Sequence, residues 1–176
     1  AEERPVFIHR LQLREPGMPE AAYRKLARET APLCHWHGAK LLLNADPAWV
    51  EDCGADGVHL NSRRLMALRA RPLGNGFFVG ASCHNAGELA QATRINADFA
   101  VLGPVARTAS HPDGIPLGWD NFRMLCAQTM LPVYALGGMR PEDLPVACRV
   151  GAHGIAMISG IWQAADIEGA VVACVD

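Results

Sequence analysis

Lysine, aromatic residues and long apolar runs are all scarce in this sequence of 176 residues. Its only lysines are Lys25 and Lys40, and Lys+Arg (16) nearly balance Asp+Glu (18), so that the net charge is −2. These totals leave no excess of positive charge for a nucleic acid or an anionic membrane surface, and neither is expected as a partner. No apolar run approaches the roughly 20 residues that cross a bilayer, so no membrane segment is expected.

Cysteine is present but lacks any C-x-x-C spacing. The six cysteines lie in apolar or helical stretches, which predicts reduced, buried thiols in a cytoplasmic protein and no disulfide framework. His35 and His37 stand two residues apart on a predicted helix, hence on different faces, and no metal site is predicted there. Half of the chain is apolar, which is enough for one sizeable core, so residues 1–176 are interpreted as a single domain.

Short apolar runs alternate with helical patterns along the whole chain. Strands are predicted at residues 6–13, 41–43, 57–59, 77–81, 99–102, 133–135 and 154–157. Helices are predicted at residues 19–36, 47–53, 62–70, 86–95, 119–128, 141–150 and from 161 onward. Proline at a first helical position and acids in a first turn support several of the helix starts.

One phrase recurs before three strands: Gly54-Ala55-Asp56-Gly57-Val58, Asn96-Ala97-Asp98-Phe99-Ala100 and Gly151-Ala152-His153-Gly154-Ile155. A recurring β/α unit predicts an α/β fold with a parallel sheet and right-handed crossovers. The seven units counted here are one fewer than a (β/α)₈ TIM barrel holds, and the first β/α unit is expected to be missing from this chain. We expect upstream chain or a neighbouring copy, as in a homodimer, to fill that gap. An open doubly wound sheet is the alternative fold.

Paired glycines follow the sixth predicted strand, as Gly137-Gly138, and Ser159-Gly160 follows the seventh. In a (β/α)₈ barrel the reactive groups lie after the strands, and these two loops are neighbours. Glycine permits close backbone approach, and free N–H groups where a helix begins attract an anion. The two loops therefore predict a phosphate-binding cup. The alternative is that the glycines only make tight turns.

The connection over residues 103–119 is long and carries polar side chains. Its hydroxyl, imidazole and guanidinium groups are suited to gripping a second phosphate, and the alternative is a surface loop stiffened by prolines. The polar residues in question are Arg107, Thr108, Ser110 and His111.

Polar residues also lie at the ends of earlier strands. His59 is predicted to be a core histidine bonded to a backbone carbonyl, whereas His84 is predicted to be functional because it follows Ser82 at a strand end. Gln12 and Arg14 alternate along one strand and therefore share a side. If that side faces inward, a buried arginine there needs an anionic partner.

Taken together, these motifs resemble the thiamine phosphate synthase superfamily, which includes thiazole tautomerase. The most specific pieces are Gly80-Ala81-Ser82-Cys83-His84, Leu102-Gly103-Pro104-Val105 with Thr108, and Met157-Ile158-Ser159-Gly160-Ile161. The resemblance implies an enzyme that joins hydroxymethylpyrimidine diphosphate to a thiazole phosphate, with Mg²⁺ on the diphosphate oxygens. It implies that the pyrimidine and diphosphate are lined by Gln12, Arg14, Asn44 and Ser82. It implies that the thiazole phosphate is held by Thr108, Ser110, Gly137, Gly138, Ile158 and Ser159.

Several positions depart from the family pattern. Metal-binding acids are expected where this chain has Ala45 and Arg64, and lysines are expected at Pro16 and His111. The catalytic histidine of the tautomerase aligns with Pro104, so tautomerase activity is not supported. Without those acids, little synthase activity is expected from this chain alone, and Mg²⁺ is expected only if the synthase reaction is retained. Catalytic residues are not identified.

Two functions stay open. One is an enzyme of thiamine biosynthesis or salvage that acts on a thiazole phosphate. The other is a non-catalytic module that binds thiazole phosphate or thiamine phosphate. The resemblance is greatest to barrels fused behind a Nudix hydrolase, through His111-Pro112-Asp113 and Pro116-Leu117-Gly118-Trp119, and it implies a Nudix domain upstream of this chain.

Overall fold

One parallel sheet of seven strands organises the computed structural model, which describes residues 10–108 and 115–172. Each strand pairs with its sequence neighbours, so the spatial order is the order along the chain. This order excludes the doubly wound alternative, whose strand order reverses within the sheet. The strands are β1 (Arg10–Leu13), β2 (Lys40–Leu43), β3 (Gly57–Leu60), β4 (Phe78–Cys83), β5 (Phe99–Leu102), β6 (Val133–Leu136) and β7 (Gly154–Ala156).

Helices connect the strands, as the alternating pattern predicts. The α-helices of the described residues are α1 (Glu20–Trp36), α2 (Ser62–Ala67), α3 (Ala86–Arg94), α4 (Gly118–Cys126), α5 (Leu144–Arg149), α6 (Ser159–Trp162) and α7 (Ile167–Val172). Two 3₁₀ helices lie at Pro47–Trp49 and Pro141–Asp143. Within the described residues, β1 pairs only with β2 and β7 only with β6. The curled sheet is therefore not closed and forms a half-barrel.

The predicted helices over 47–53 and from 161 onward are wrong in detail. The first is only the 3₁₀ helix Pro47–Trp49, because the amides of Trp49 and Val50 donate to carbonyls three residues back, Asp46 O and Pro47 O. The second begins earlier, at Ser159, and is interrupted between α6 and α7. A new helix starts there because the Asp166 side chain accepts a 2.9 Å hydrogen bond from Gly169 N.

The core consists of two layers, one on each face of the sheet. Leu41 and Leu43 of β2 face the larger layer, between the sheet and its helices, whereas Leu42 faces the smaller layer inside the curl. Phe99 and Val101 of β5 join Leu42 inside. Because successive strand residues point to opposite faces, the apolar side chains of β2 and β5 fill both layers, whereas β1 alternates between polar and apolar residues.

The recurring phrase ties the amino ends of neighbouring strands together. Asp56 accepts a 2.9 Å hydrogen bond from Leu41 N through Oδ2, and its own amide donates to Leu41 O at 2.9 Å. Asp98 makes the same pair of bonds with Val79, at 2.6 Å and 2.8 Å. In the third copy only the backbone bond is kept, from His153 N to Val133 O of β6 at 2.7 Å. We call the pair of hydrogen bonds made by Asp56, and likewise the pair made by Asp98, an aspartate clasp.

The prediction that all cysteines are buried is wrong at Cys148, which is exposed on α5. Ala147 fills the buried position on this helix, and its neighbour therefore points away from the core. The other described cysteines are buried, and all five described thiols are free. No helix among the described residues is long and apolar enough to cross a membrane.

Candidate functional site

The predicted site residues that the structure describes all lie at or just beyond the carboxyl ends of the strands. Because the strands are parallel, these ends form one edge of the sheet. Gln12 and Ser82 lie in the last residues of β1 and β4, and Arg14, Asn44 and His84 directly follow β1, β2 and β4. Following β5 to β7 are Thr108, Gly137, Gly138, Ile158 and Ser159. Ser110 and His111 lie outside the described residues.

The loops after β5, β6 and β7 surround a cavity of about 650 Å³. Thr108, Gly138 and Ser159 all line it, so three of the residues predicted for one phosphate are brought together. Four charged residues line the same cavity, Arg107 and Arg140 together with Glu142 and Asp166, so their charges balance. An anion would therefore be held here by backbone N–H groups and not by an excess of positive charge.

Only glycine fits at the turn after β6. Gly137 and Gly138 have φ values of +96° and +68°, a region that residues with a side chain rarely adopt. A Cβ atom on Gly137 would lie 2.5 Å from Pro104 Cβ, and one on Gly138 would lie 2.6 Å from Arg107 O. The glycines thus allow the loops after β5 and β6 to touch, and Ala106 N donates to Gly137 O at 3.0 Å.

Three amides of this cavity are available to a ligand. Within the described part of the chain, the N–H groups of Gly138, Ser159 and Gly160 donate no hydrogen bond. By contrast, the amides of Ile161 and Trp162 both donate to the carbonyl of Ile158. Unpaired amides that line one cavity are the backbone groups that phosphate sites use. Ile158 itself contributes the residue before α6, and its side chain is exposed.

The hydroxyl of Tyr23 marks the place where β1 and β2 end. It donates a 2.8 Å hydrogen bond to Leu13 O, which also accepts from Asn44 N at 2.9 Å. Burial raises the pKa of Tyr23 to about 12, and the Arg64 guanidinium opposes that rise. Arg14 is exposed beyond the last residue of β1, so no arginine is buried at this position.

His59 and Ser82 meet inside the curl of the sheet. His59 is buried, and its Nε2 lies 2.9 Å from Ser82 Oγ. The predicted bond to a backbone carbonyl is wrong, because the register pairs His59 with Gly80 and brings the hydroxyl two residues further along β4 into reach. Burial lowers the pKa of His59 to about 4, so the ring is neutral at pH 7. A neutral imidazole bonded to a hydroxyl orients Ser82 toward the interior.

His84 forms a cluster with Glu88 and Ser62. The imidazole Nδ1 of His84 lies 2.8 Å from Glu88 Oε2, which also accepts from His84 N at 2.7 Å. Ser62 Oγ donates to Glu88 Oε1 at 2.5 Å. Burial acts to raise the pKa of Glu88, but these hydrogen bonds outweigh it and hold the pKa below its ordinary value. Glu88 is therefore ionised and already bonded on both oxygens.

The residues at this edge do not fit the Mg²⁺ ion that the family pattern implies. Ala45 is buried and offers no oxygen, and Arg64 brings positive charge to the other expected ligand position. The nearest carboxylate along the chain, Asp46, accepts from Ala48 N at 2.9 Å. Among the described residues, no group of three or more His, Cys, Asp or Glu side chains is placed to hold a metal. Mg²⁺ prefers carboxylate oxygens, and Ala45 and Arg64 offer none at the two expected positions.

Sequence reasoning missed Arg10. Its guanidinium carbon lies 5.1 Å from the centre of the Phe78 ring and 5.0 Å from that of Phe99. Its Nη1 also lies 3.4 Å from the hydroxyl of Tyr134 on β6. The only signal was its alternation with Gln12 along β1, which puts both residues on the inner face. Arg10, although exposed, therefore places a positive charge on the inner face of the sheet, beside β4, β5 and β6.

Comparison with known proteins agrees with this geometry. Residues 6–161 match the family model described as thiamine monophosphate synthase. The chain is 35% identical over 158 residues to the thiamine-phosphate synthase of Laribacter hongkongensis, with 89% of this chain and 74% of that protein covered. It is 37% identical over 168 residues to the thiamine biosynthesis bifunctional protein ThiM/ThiE of Symbiobacterium thermophilum, covering 94% of this chain and 35% of that longer protein.

Among solved structures, the thiamine phosphate pyrophosphorylase of Pyrococcus furiosus superposes with a TM-score of 0.79. The match covers 96% of this chain and 82% of that one at 21% identity, and at that identity it shows the fold alone. None of these three names refers to a Nudix domain. On the family match and the identity to its relatives, the chain belongs to the thiamine monophosphate synthase family.

Proposed function

We propose that this chain binds a thiazole phosphate in the cavity after β5 to β7 and takes part in forming thiamine phosphate. The observation that carries the proposal is the set of amides of Gly138, Ser159 and Gly160, which line one cavity and donate to no described residue. A phosphate accepts several N–H bonds at once, and glycine lets the backbone approach it closely. Family membership supports the choice of ligand.

Further residues are assigned to this ligand from the family pattern. Thr108 lines the cavity and Arg107 adds a positive charge. Ser110 and His111 belong to the same connection, and we assign them to the thiazole phosphate as well. Gly137 and Ile158 act indirectly in this scheme, by shaping the loop after β6 and by starting α6.

The proposed reaction couples the thiazole phosphate to hydroxymethylpyrimidine diphosphate. The bond from the pyrimidine methylene carbon to the diphosphate oxygen breaks, and its electron pair leaves with pyrophosphate. The thiazole nitrogen then supplies the pair for a new C–N bond to that carbon, which gives thiamine phosphate. The chain contributes by holding both substrates in line for this displacement. We assign Gln12, Asn44 and Ser82 to the pyrimidine side.

A second function is favoured by one observation, namely that Ala45 and Arg64 stand where the family pattern has metal-binding acids. Under this alternative the chain is a non-catalytic module that binds thiazole phosphate or thiamine phosphate, attached to a Nudix hydrolase in the cytoplasm. Formation of thiamine phosphate by the chain would exclude it.

We further propose that the sheet comprises the second to eighth units of a (β/α)₈ barrel, which residues 1–176 form as one domain. In the described residues β1 and β7 have one strand neighbour each, which supports a missing unit between them. Upstream chain or a second copy in a homodimer would cover these edges, because open strand edges pair readily with other chains.

Amide NMR spectra recorded during titration with thiazole phosphate test the main proposal. We expect the Gly138 and Ser159 amides to move to saturation, because the phosphate accepts their N–H groups. The same thiazole without its phosphate is the matched ligand, and it should move these amides much less. If saturating thiazole phosphate leaves both amides in place, the proposal fails.

A further inference from the structure

The edge after β1 to β4 presents guanidinium groups in the place of metal-binding acids. From this we infer that Arg64 and Arg14 hold the diphosphate of the second substrate directly, without a metal ion. The inference rests on the proposed function and names how the same site offsets the charge of the leaving group. It starts from the mismatch between Mg²⁺ and the residues present, in which Ala45 is apolar and Arg64 is a cation.

The start of α2 directs Arg64 to this edge. Asn61 Oδ1 accepts a 2.9 Å hydrogen bond from Arg64 N, which fixes the first turn of the helix directly after β3. The Arg64 guanidinium acts to lower the pKa of Tyr23, and the Tyr23 hydroxyl is bonded to Leu13 O beside Asn44. Because β3 pairs with β2 and β2 pairs with β1, Arg64 and Arg14 belong to the same carboxyl edge of the sheet.

The acids around this edge do not neutralise the two arginines. Glu88 is bonded to Ser62 and His84, and Asp46 to the amide of Ala48. The charge of Glu15 acts to raise the pKa of Tyr23. Among the described residues, neither Arg14 nor Arg64 is in an ion pair with any acid. Their N–H groups thus remain available to an anion.

A guanidinium has the right chemistry for this role. It keeps its charge at any physiological pH, and its paired N–H donors match two oxygens of a phosphate group. Arg64 and Arg14 together carry the charge of one divalent cation. When pyrophosphate leaves, the negative charge that builds on its oxygens is stabilised by donors that are already in place. A diphosphate can therefore be bound here in the absence of metal.

Calorimetric titration of the full chain with inorganic pyrophosphate, in EDTA and in Mg²⁺, tests the inference. We expect binding in EDTA with a Kd no weaker than in Mg²⁺, because the ion competes with the guanidinium groups for the same oxygens. Arg64→Ala should weaken binding by about 10- to 100-fold, the usual worth of a charge-assisted contact. Arg64→Lys keeps the charge but loses the paired donors, and it should fall in between.

Arg69→Ala is the matched control, because Arg69 is another exposed arginine, just beyond the opposite end of α2, and it should bind pyrophosphate as the unaltered chain does. The inference is overturned if binding requires Mg²⁺, if pyrophosphate binds in neither buffer, or if Arg64→Ala binds unchanged. Thiazole phosphate is titrated into the same variants. Retained thiazole phosphate binding in Arg64→Ala shows that the fold is intact, and it separates failure at this edge from failure of the proposed function.

Discussion

Replacing Gly138 by alanine should destabilise the fold and also weaken thiazole phosphate binding. At φ +68° a residue with a Cβ atom loses about 1–2 kcal/mol relative to glycine. The added Cβ would also lie 2.6 Å from Arg107 O, so the loop after β5 has to move. Overpacking of this kind costs about 1–3 kcal/mol. The expected loss in the free energy of unfolding is therefore about 2–5 kcal/mol.

Gly54→Ala provides a matched control. Gly54 has nearly the same φ, +65°, but an added Cβ meets nothing within 4 Å. Only the backbone penalty of about 1–2 kcal/mol applies to it. The difference between the two variants, measured by urea unfolding, thus isolates the contact between the loops after β5 and β6. Calorimetry should show thiazole phosphate affinity reduced at least about tenfold in Gly138→Ala, since one hydrogen-bonding amide is displaced, and unchanged in Gly54→Ala.

Either of two results would refute this reasoning. Equal losses of stability in the two variants would show that the contact with Arg107 O does not limit the loop. A folded Gly138→Ala variant with full affinity would show that the Gly138 amide does not bind the phosphate.

Two further predictions concern His59 and catalysis. Because burial lowers the pKa of His59 from 6.5 to about 4, the unfolded chain binds a proton first as the pH falls, and stability should drop by about 2 kcal/mol between pH 7 and pH 5. Urea midpoints should show this drop, and its persistence in His59→Asn would assign it to another group. With both substrates and Mg²⁺, the rate of thiamine phosphate formation should stay below about 1 s⁻¹, and replacing Mg²⁺ by EDTA should not change it. A turnover in the ordinary enzyme range of about 1–10³ s⁻¹ would contradict this prediction. Ala45→Asp combined with Arg64→Asp should raise the rate in Mg²⁺ only.

The strands β3 and β5 were predictable because they are buried on both faces. Phe99–Leu102 has the predicted bounds, and all of its residues are buried, as are those of Gly57–Leu60. Apolar runs of this length that directly follow the recurring phrase are typical of buried parallel strands, and they predicted these two strands. The short segment at Pro47–Trp49 was harder, because over so few residues an α-helix and a 3₁₀ helix have the same pattern.

Contacts at the strand ends depend on register and curl, which sequence spacing does not contain. The bond between His59 and Ser82 follows from how β3 and β4 pair, and the position of Arg10 follows from the curl that brings β1 opposite β6. For the cluster of His84, Glu88 and Ser62, sequence spacing did contain a local signal. Asn85 and Glu88 have the spacing of a helix-capping pair, and Glu88 Oε2 accepts from the amide of His84.

The aspartate clasps join the strands at their amino ends, whereas the candidate site lies at their carboxyl ends. Asp56 and Asp98 bind the amino ends of neighbouring strands through hydrogen bonds that no residue of the carboxyl edge shares. Side chains on that opposite edge can therefore change without breaking these hydrogen bonds. This independence lets Ala45 and Arg64 occupy the carboxyl edge without affecting the hydrogen bonds that join the strands of the half-barrel at their amino ends. It also makes the loops after the strands a place where new ligand chemistry can be engineered onto an unchanged scaffold.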